Sequence, residues 1–256
     1  MTHFPHDVKC LAICVVRICK VSLRIDNSDP DSHEFCRKAS AVITTASSPD
    51  RIAFSKNKLL KILLAAYAII FVISGIAPHN RFDWLLENLL SIVAFITLVA
   101  SYRTFKLSDL SYTLIFVFMA MHTVGSHYTY SLVPAGDWMQ DTFEFSRNHY
   151  DRVVHFAFGL LLAYPVREFV MQRIISNSIA ASMITAAFLI SSSASYEVIE
   201  WIVAGIVDPE AGIAYMGTQG DVFDAQKDMA LAGAGTFMAL IASALLERLH
   251  SRQVHG

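Results

Sequence analysis

Cysteine is missing from most of this chain. Cys10, Cys14, Cys19 and Cys36 are the only four, and their C-x3-C-x4-C spacing matches no zinc or redox signature. A structural metal at that end would have to draw its remaining ligands from His3, His6 or His33, which share no standard spacing with the cysteines. Charge is also scarce. Only 16% of residues are charged and the net charge is -2, which excludes the basic surface of a nucleic-acid binder or a polybasic membrane patch. No GK[ST] follows the glycine turn at 217–220, so a nucleotide-binding P-loop is excluded as well. There is no internal repeat, and no matched pair of Gly/Pro-broken apolar segments of the kind that marks many transporter sites.

Apolar residues fill the gap, at 54% of the chain with 17 Phe and 9 Tyr. Soluble domains run nearer 45–50% apolar and about 25% charged. The shift is the one a bilayer requires, because charge facing lipid is costly. Residues 1–57 differ from the rest, with mixed polarity and Asp-Ser-Pro clusters at 26–32 and 46–50. Their short apolar stretch, Leu11 to Val16, meets Arg17 and Lys20 long before it could cross about 30 Å of hydrocarbon. It has no cleavage-site pattern of a signal peptide either. These residues are expected to be an extension, disordered or outside the main domain.

From Leu59 onward six apolar segments follow: Leu59–Ala77, Trp84–Tyr102, Leu110–Gly125, Val153–Val170, Ile179–Val207 and Met229–Leu246. Backbone groups in lipid must pair within their own segment, so these are predicted helices. The expected fold is all-α, a bundle of about six transmembrane spans over 58–247 with a short tail at 248–256. Cations concentrate on one side of that arrangement: Arg51, Lys56, Lys58 and Lys61, then Arg103 and Lys106, Arg167 and Arg173, Arg248 and Arg252. The opposite loops carry Arg81, Arg147, Arg152 and Lys227 among the acids Asp137, Asp141, Glu144, Asp208 and Glu210. By the positive-inside rule both ends of the membrane domain face the cytoplasm.

That topology brings unusual polar residues to one depth. Asp151 and His155 share a helical face at i, i+4, and Glu197 and Glu200 share one at i, i+3. Asp221, Asp224 and Asp228 form a stripe entering the last span, while Glu87, His122 and His127 sit at the same end of the second and third. Close carboxylates repel one another and are relieved by a cation. A divalent ion such as Mg²⁺, Mn²⁺ or Ca²⁺ takes oxygen ligands of this kind. Glu197, Glu200, Asp221 and Asp224 are the expected metal ligands; His155, oriented by Asp151, is the expected proton carrier. A plain structural role competes with this, because Asp151, Asp221 and Asp224 lie where helix N-termini favour acids. Glu197 and Glu200 lie at a C-terminal end, where the dipole disfavours them. The Gly217-Thr218-Gln219-Gly220 turn is expected to offer N–H groups to an anion. Ser191 to Ser193 and Ser195 suit helix packing, and Tyr130, Trp138, Asn148, Tyr150 and Arg152 suit an interfacial belt.

The runs HNRFDWLLEN (79–88), GSHYTY (125–130), RNHYDRVVHFAFG (147–159), SYEVIEW (195–201) and GTQGDVFDAQKDM (217–229), in that order, resemble the YjdF-like family of bacterial inner-membrane proteins. The resemblance spans about residues 58–247 and implies a polytopic inner-membrane protein without implying an activity. A weaker resemblance to the VanZ-like pattern rests on Asp151, His155 and Phe156, then Glu197 and Glu200, then Asp221 and Asp224. That pattern is linked with glycopeptide resistance at the cell envelope, and the chain departs from it with Lys227-Asp228 where an Asn usually follows. A more distant likeness is to membrane-embedded phosphatidylserine synthases of the base-exchange type. Membrane lipids are the expected partners. Three functions fit: a metal-assisted enzyme acting on a lipid or envelope precursor, a non-catalytic scaffold, and an ion or small-solute transporter.

Overall fold

The computed structural model describes residues 54–102, 104–207, 212 and 215–255, the last eight by backbone alone. Residues 1–53, most of the expected extension, lie outside the described residues. Among the described residues there are seven helices and no strand: α1 (Lys58–Ser74), α2 (Arg81–Ser101), α3 (Asp109–His127), α4 (Pro134–Phe143), α5 (Tyr150–Arg173), α6 (Ser178–Ile206) and α7 (Asp224–His255). All six expected segments are helices. α2, α5, α6 and the Asp224–Glu247 part of α7 are long and apolar enough to cross a membrane. α1 and α3 have 17 and 19 residues. Both carry exposed large apolar side chains, Ile69 and Val72 on α1 and Leu110 and Val117 on α3, as do α2 and α6 with Ile96, Met183 and Ile206.

Local chemistry sets the helix starts. Asn57, Asn80, Ser108 and Asn177 each turn a side-chain oxygen onto first-turn N–H groups that have no partner inside the helix. α4 starts instead with Pro134 and stops at Glu144, whose φ of 55° is left-handed. This short helix was not among the expected segments, because its ten residues carry only three large apolar side chains, Trp138, Met139 and Phe143, among polar ones.

α5 is the centre of the bundle, packed by α3, α6 and α7, while α1 and α2 pack against α3. The α5–α7 crossing is close because two glycines face backbone. A Cβ on Gly159 would strike Ala232 and Thr236, and one on Gly235 would strike Phe156 and Leu160. Small residues at such crossings let helices gain contact where lipid supplies no hydrophobic drive. One core cluster joins Ala163, Ala186, Leu189 and Leu240, and a second joins Tyr130, Val133, Tyr150 and Val154.

Up-and-down connectivity gathers alternate helix ends. The N-termini of α2, α5 and α7 meet the C-termini of α1, α3 and α6 at what we call the acidic end. Trp84 Nε1 donates to Ser74 Oγ (3.1 Å), Asn88 Nδ2 to Ser126 Oγ (2.9 Å), and Tyr150 Oη to the Met121 carbonyl (2.9 Å) there. At the opposite end Asn57 bonds Asp109, and Glu168 meets the start of α3.

Candidate functional site

At the acidic end, α5 presents Asp151 and His155 one turn apart, and α7 presents Asp228 opposite them. One ligand atom from each of the three lies within 4.8 Å of the others. The His155 Nε2 is 3.5 Å from Asp151 Oδ1 and 3.4 Å from Glu197 Oε1, which comes from α6. Three helices therefore meet at one imidazole. Asp228 is 2% exposed, yet its Oδ1 has no hydrogen-bond partner, and the same is true of Glu197 Oε1. Buried polar atoms are nearly always paired, so unmet oxygens turned toward shared space are the feature to explain. Glu200 lies one turn beyond Glu197 on α6.

The neighbouring acids are differently placed. Asp224 accepts both guanidinium nitrogens of buried Arg147, at 2.5 and 3.2 Å, and Arg152 reaches it at 3.1 Å. Asp221 is paired with Arg152 and with Lys227, both at 2.5 Å. Lys227, the Phe223 amide and Arg152 hold the Asp221 carboxyl well below the usual carboxylate range. Arg147 also donates to the carbonyls of Thr218 (2.8 Å) and Gly217 (3.2 Å). The glycine turn thus offers its carbonyls to an arginine instead of its N–H groups to an anion. Gly217 and Gly220 supply the positive φ values, 59° and 88°, that this turn needs. Gln219 closes it against the start of α5 by exchanging two bonds with the Asn148 backbone. Burial, then Arg152 and Arg147, push His149 below its ordinary pKa.

A second polar set lies on α2, α3 and α6. Tyr196 donates to Glu87 Oε2 at 2.5 Å. His122 Nε2 lies 3.0 Å from the Glu87 carbonyl, which can only accept, so this nitrogen carries the proton. The His122 Nδ1 then accepts from the Tyr130 hydroxyl, whose burial pushes its own pKa far up and keeps it a donor. His127 is occupied elsewhere, donating from Nδ1 to the Ser74 carbonyl at 2.8 Å. Nearby, Asp83 is 2% exposed with neither carboxylate oxygen bonded.

The structure thus brings Asp151, His155, Asp228 and Glu197 together, ties Asp221 and Asp224 into arginine pairs, and places Glu87 and His122 one helix away. Sequence reasoning missed Arg147, which it counted as a loop cation although the side chain is 5% exposed. The hint was its place two residues before the His149 N-cap of α5, in the polar run RNHYDR. Of the expected belt, Tyr130, Asn148 and Tyr150 are buried and only Trp138 is largely exposed. The reason is that the 128–149 segment folds back, with Asn148 Nδ2 donating to Val133 and Asp137. Ser193 is buried in the helix packing, while Ser191 and Ser195 face outward.

The sequence profile of a family described as "Predicted membrane protein (DUF2238)" matches residues 59–251. The chain belongs to this family. A DUF2238 relative, "Inner membrane protein YjdF" of Escherichia coli (strain K12), is 33% identical over 200 residues, covering 78% of this chain and 94% of the relative. No solved structure matches the chain. This DUF2238 protein is accordingly an integral membrane protein with several apolar helices and an inner-membrane relative.

Proposed function

We propose that this protein is a metal-assisted enzyme acting on a lipid or envelope precursor at the outer leaflet, built on six spans with both ends of the membrane domain in the cytoplasm. One observation carries the reading. Asp151, His155 and Asp228 set ligand atoms within 4.8 Å of one another from two helices, and the buried Asp228 Oδ1 has no protein partner. An imidazole with two carboxylates suits Mn²⁺ or Zn²⁺ better than Mg²⁺ or Ca²⁺, which favour all-oxygen sets. Glu197, whose Oε1 lies 3.4 Å from His155 Nε2 and makes no hydrogen bond, would take a proton from a water at this site. The orientation rests on the cation bias between the two sets of loops.

The scaffold reading draws on a different fact, the pairing of Asp221 and Asp224 with Arg147, Arg152 and Lys227. Those contacts need no ligand to make sense. To separate the two, the protein is reconstituted in vesicles of a bacterial envelope lipid extract with Mn²⁺ or Zn²⁺, and lipid products are followed by mass spectrometry. A product made by wild type and lost in Asp151→Asn and Asp228→Asn supports the enzyme. Identical lipid profiles for wild type, variants and empty vesicles would leave the scaffold standing.

A further inference from the structure

A cavity of about 570 Å³ lies among α1, α2 and α3, toward the end opposite the acidic site. Its size is that of a ligand pocket. Leu63, Leu64, Leu98, Ile115, Phe116 and Met119 form much of its wall. Its polar lining groups are Tyr67, Tyr102, Tyr112 and Lys106; the Tyr67 hydroxyl is engaged by Thr123 Oγ1 at 3.4 Å and that of Tyr112 accepts from the Leu107 amide at 3.2 Å. Ring contacts hold α1 to α2 on the acidic side of the cavity, Phe71 on Trp84 at 5.4 Å and Tyr67 on Phe95 at 6.4 Å. Beyond them the helices leave the cleft.

Such a space does not suit water, which needs two to four polar partners. Left empty, it would forfeit dispersion contacts along its whole lining. In a protein surrounded by bilayer, the apolar material at hand is an acyl chain. The mouth adds a preference for headgroup. Lys106 and Tyr102 line it, with the Lys106 ammonium 5.7 Å over the Tyr102 ring. Lys61 sits 6.0 Å over the ring of Phe54, another lining residue, and Lys56 and Lys58 are exposed close by in sequence. Among the described residues no acid lines the cavity, and the nearby Asp109 accepts from Asn57 at 2.9 Å. Basic side chains at this depth attract anionic headgroups.

We propose that the α1–α2–α3 cleft binds one acyl chain of an anionic phospholipid, with its phosphate held by Lys106 and Lys61. The site is independent of the acidic end and of the reaction proposed there. Delipidated protein is titrated with phosphatidylglycerol or phosphatidylcholine of identical chains and followed by native mass spectrometry. The expected result is a persistent one-lipid adduct, several-fold stronger for phosphatidylglycerol. Leu64→Trp and Ile115→Trp should each fill the cleft and lose the adduct, and Lys61→Gln with Lys106→Gln should bind both lipids alike. Folding of each variant is checked by its thermal unfolding. A second measurement needs no filled cleft: in Val99→Trp, a tryptophan at the exposed lining position should be quenched more by bromine-labelled phosphatidylglycerol than by the labelled phosphatidylcholine. Equal binding of the two lipids by wild type, equal quenching, or an undiminished adduct in folded filled variants would overturn the proposal.

Discussion

The two ends of the α5–α6–α7 stack handle buried charge in opposite ways. At the end away from the candidate site the buried charged groups among the described residues are answered. Arg167, 5% exposed, meets Glu247 at 2.6 Å, Ser178 at 2.7 Å and Ser182 at 3.0 Å. Glu168 accepts from Ser108 and Ser111 at the start of α3, where a helix dipole also favours it. At the acidic end the chain spends two arginines and a lysine on Asp221 and Asp224, and still leaves oxygens of Asp83, Glu197 and Asp228 without partners. Satisfied sets fix helices against one another; unsatisfied ones in the same bundle are where a ligand would be expected. The contrast separates structural carboxylates from candidate functional ones within a single eight-residue stretch, Asp221 to Asp228, of α7 and its approach.

The sharpest way to break that comparison is at Arg147. Its loss by Arg147→Ala leaves buried Asp224 with Arg152 alone, at 3.1 Å, and unfolding in detergent should become easier by about 3 kcal/mol, the low end for a broken buried pair. Arg167→Ala should cost less, about 1–2 kcal/mol, since Glu247 is half-exposed and its charge can reach water. If the order were reversed, the acidic end would not be the tighter charge network.

Acid titration sharpens the comparison further. The folded pKa of Asp221 is depressed, so its contribution to stability is full above the ordinary carboxylate pKa, about 4, and is lost as pH falls below it. His149 is also depressed, so the fold binds fewer protons there than the unfolded chain. Stability should therefore already decline gently as pH drops below about 6.5. Melting temperature against pH should show both slopes, the lower one flattened in Asp221→Asn and the upper one in His149→Asn. The smallest expected effect is at Asp228. Asp228→Asn should change stability by less than about 1 kcal/mol, because Oδ1 has no partner to lose. A loss on the scale of Arg147→Ala would put Asp228 in the structural set and erase the distinction.

Much of the fold was legible in the sequence. The six apolar runs became α1, α2, α3, α5, α6 and α7, four of which are long and apolar enough to cross a membrane, where each run must satisfy its own backbone. α4 was hidden: ten residues with Trp138, Met139 and Phe143 carry too little apolar periodicity to stand out. The gathering of Asp151, His155 and Glu197 followed from helix spacing and from antiparallel order. The division of labour along α7 did not. Asp221, Asp224 and Asp228 look alike in the sequence, and which of them is paired depends on how the 144–152 segment folds over the start of α7 to deliver Arg147 and Arg152. That is a tertiary fact with no local period. The same segment buried Tyr130, Asn148 and Tyr150, which the aromatic and polar composition alone had suggested as an exposed belt.

The central claim is that the unmet oxygens at the acidic end are ligand positions. The most direct test is the metal content of purified protein after exposure to Mn²⁺ and Zn²⁺ and removal of free ion, compared among wild type, Asp228→Asn, His155→Gln and Arg167→Ala. The account predicts close to one ion per chain in wild type and in Arg167→Ala, and loss of that ion in the other two. No bound ion in wild type, or the same retention in all four proteins, would contradict it.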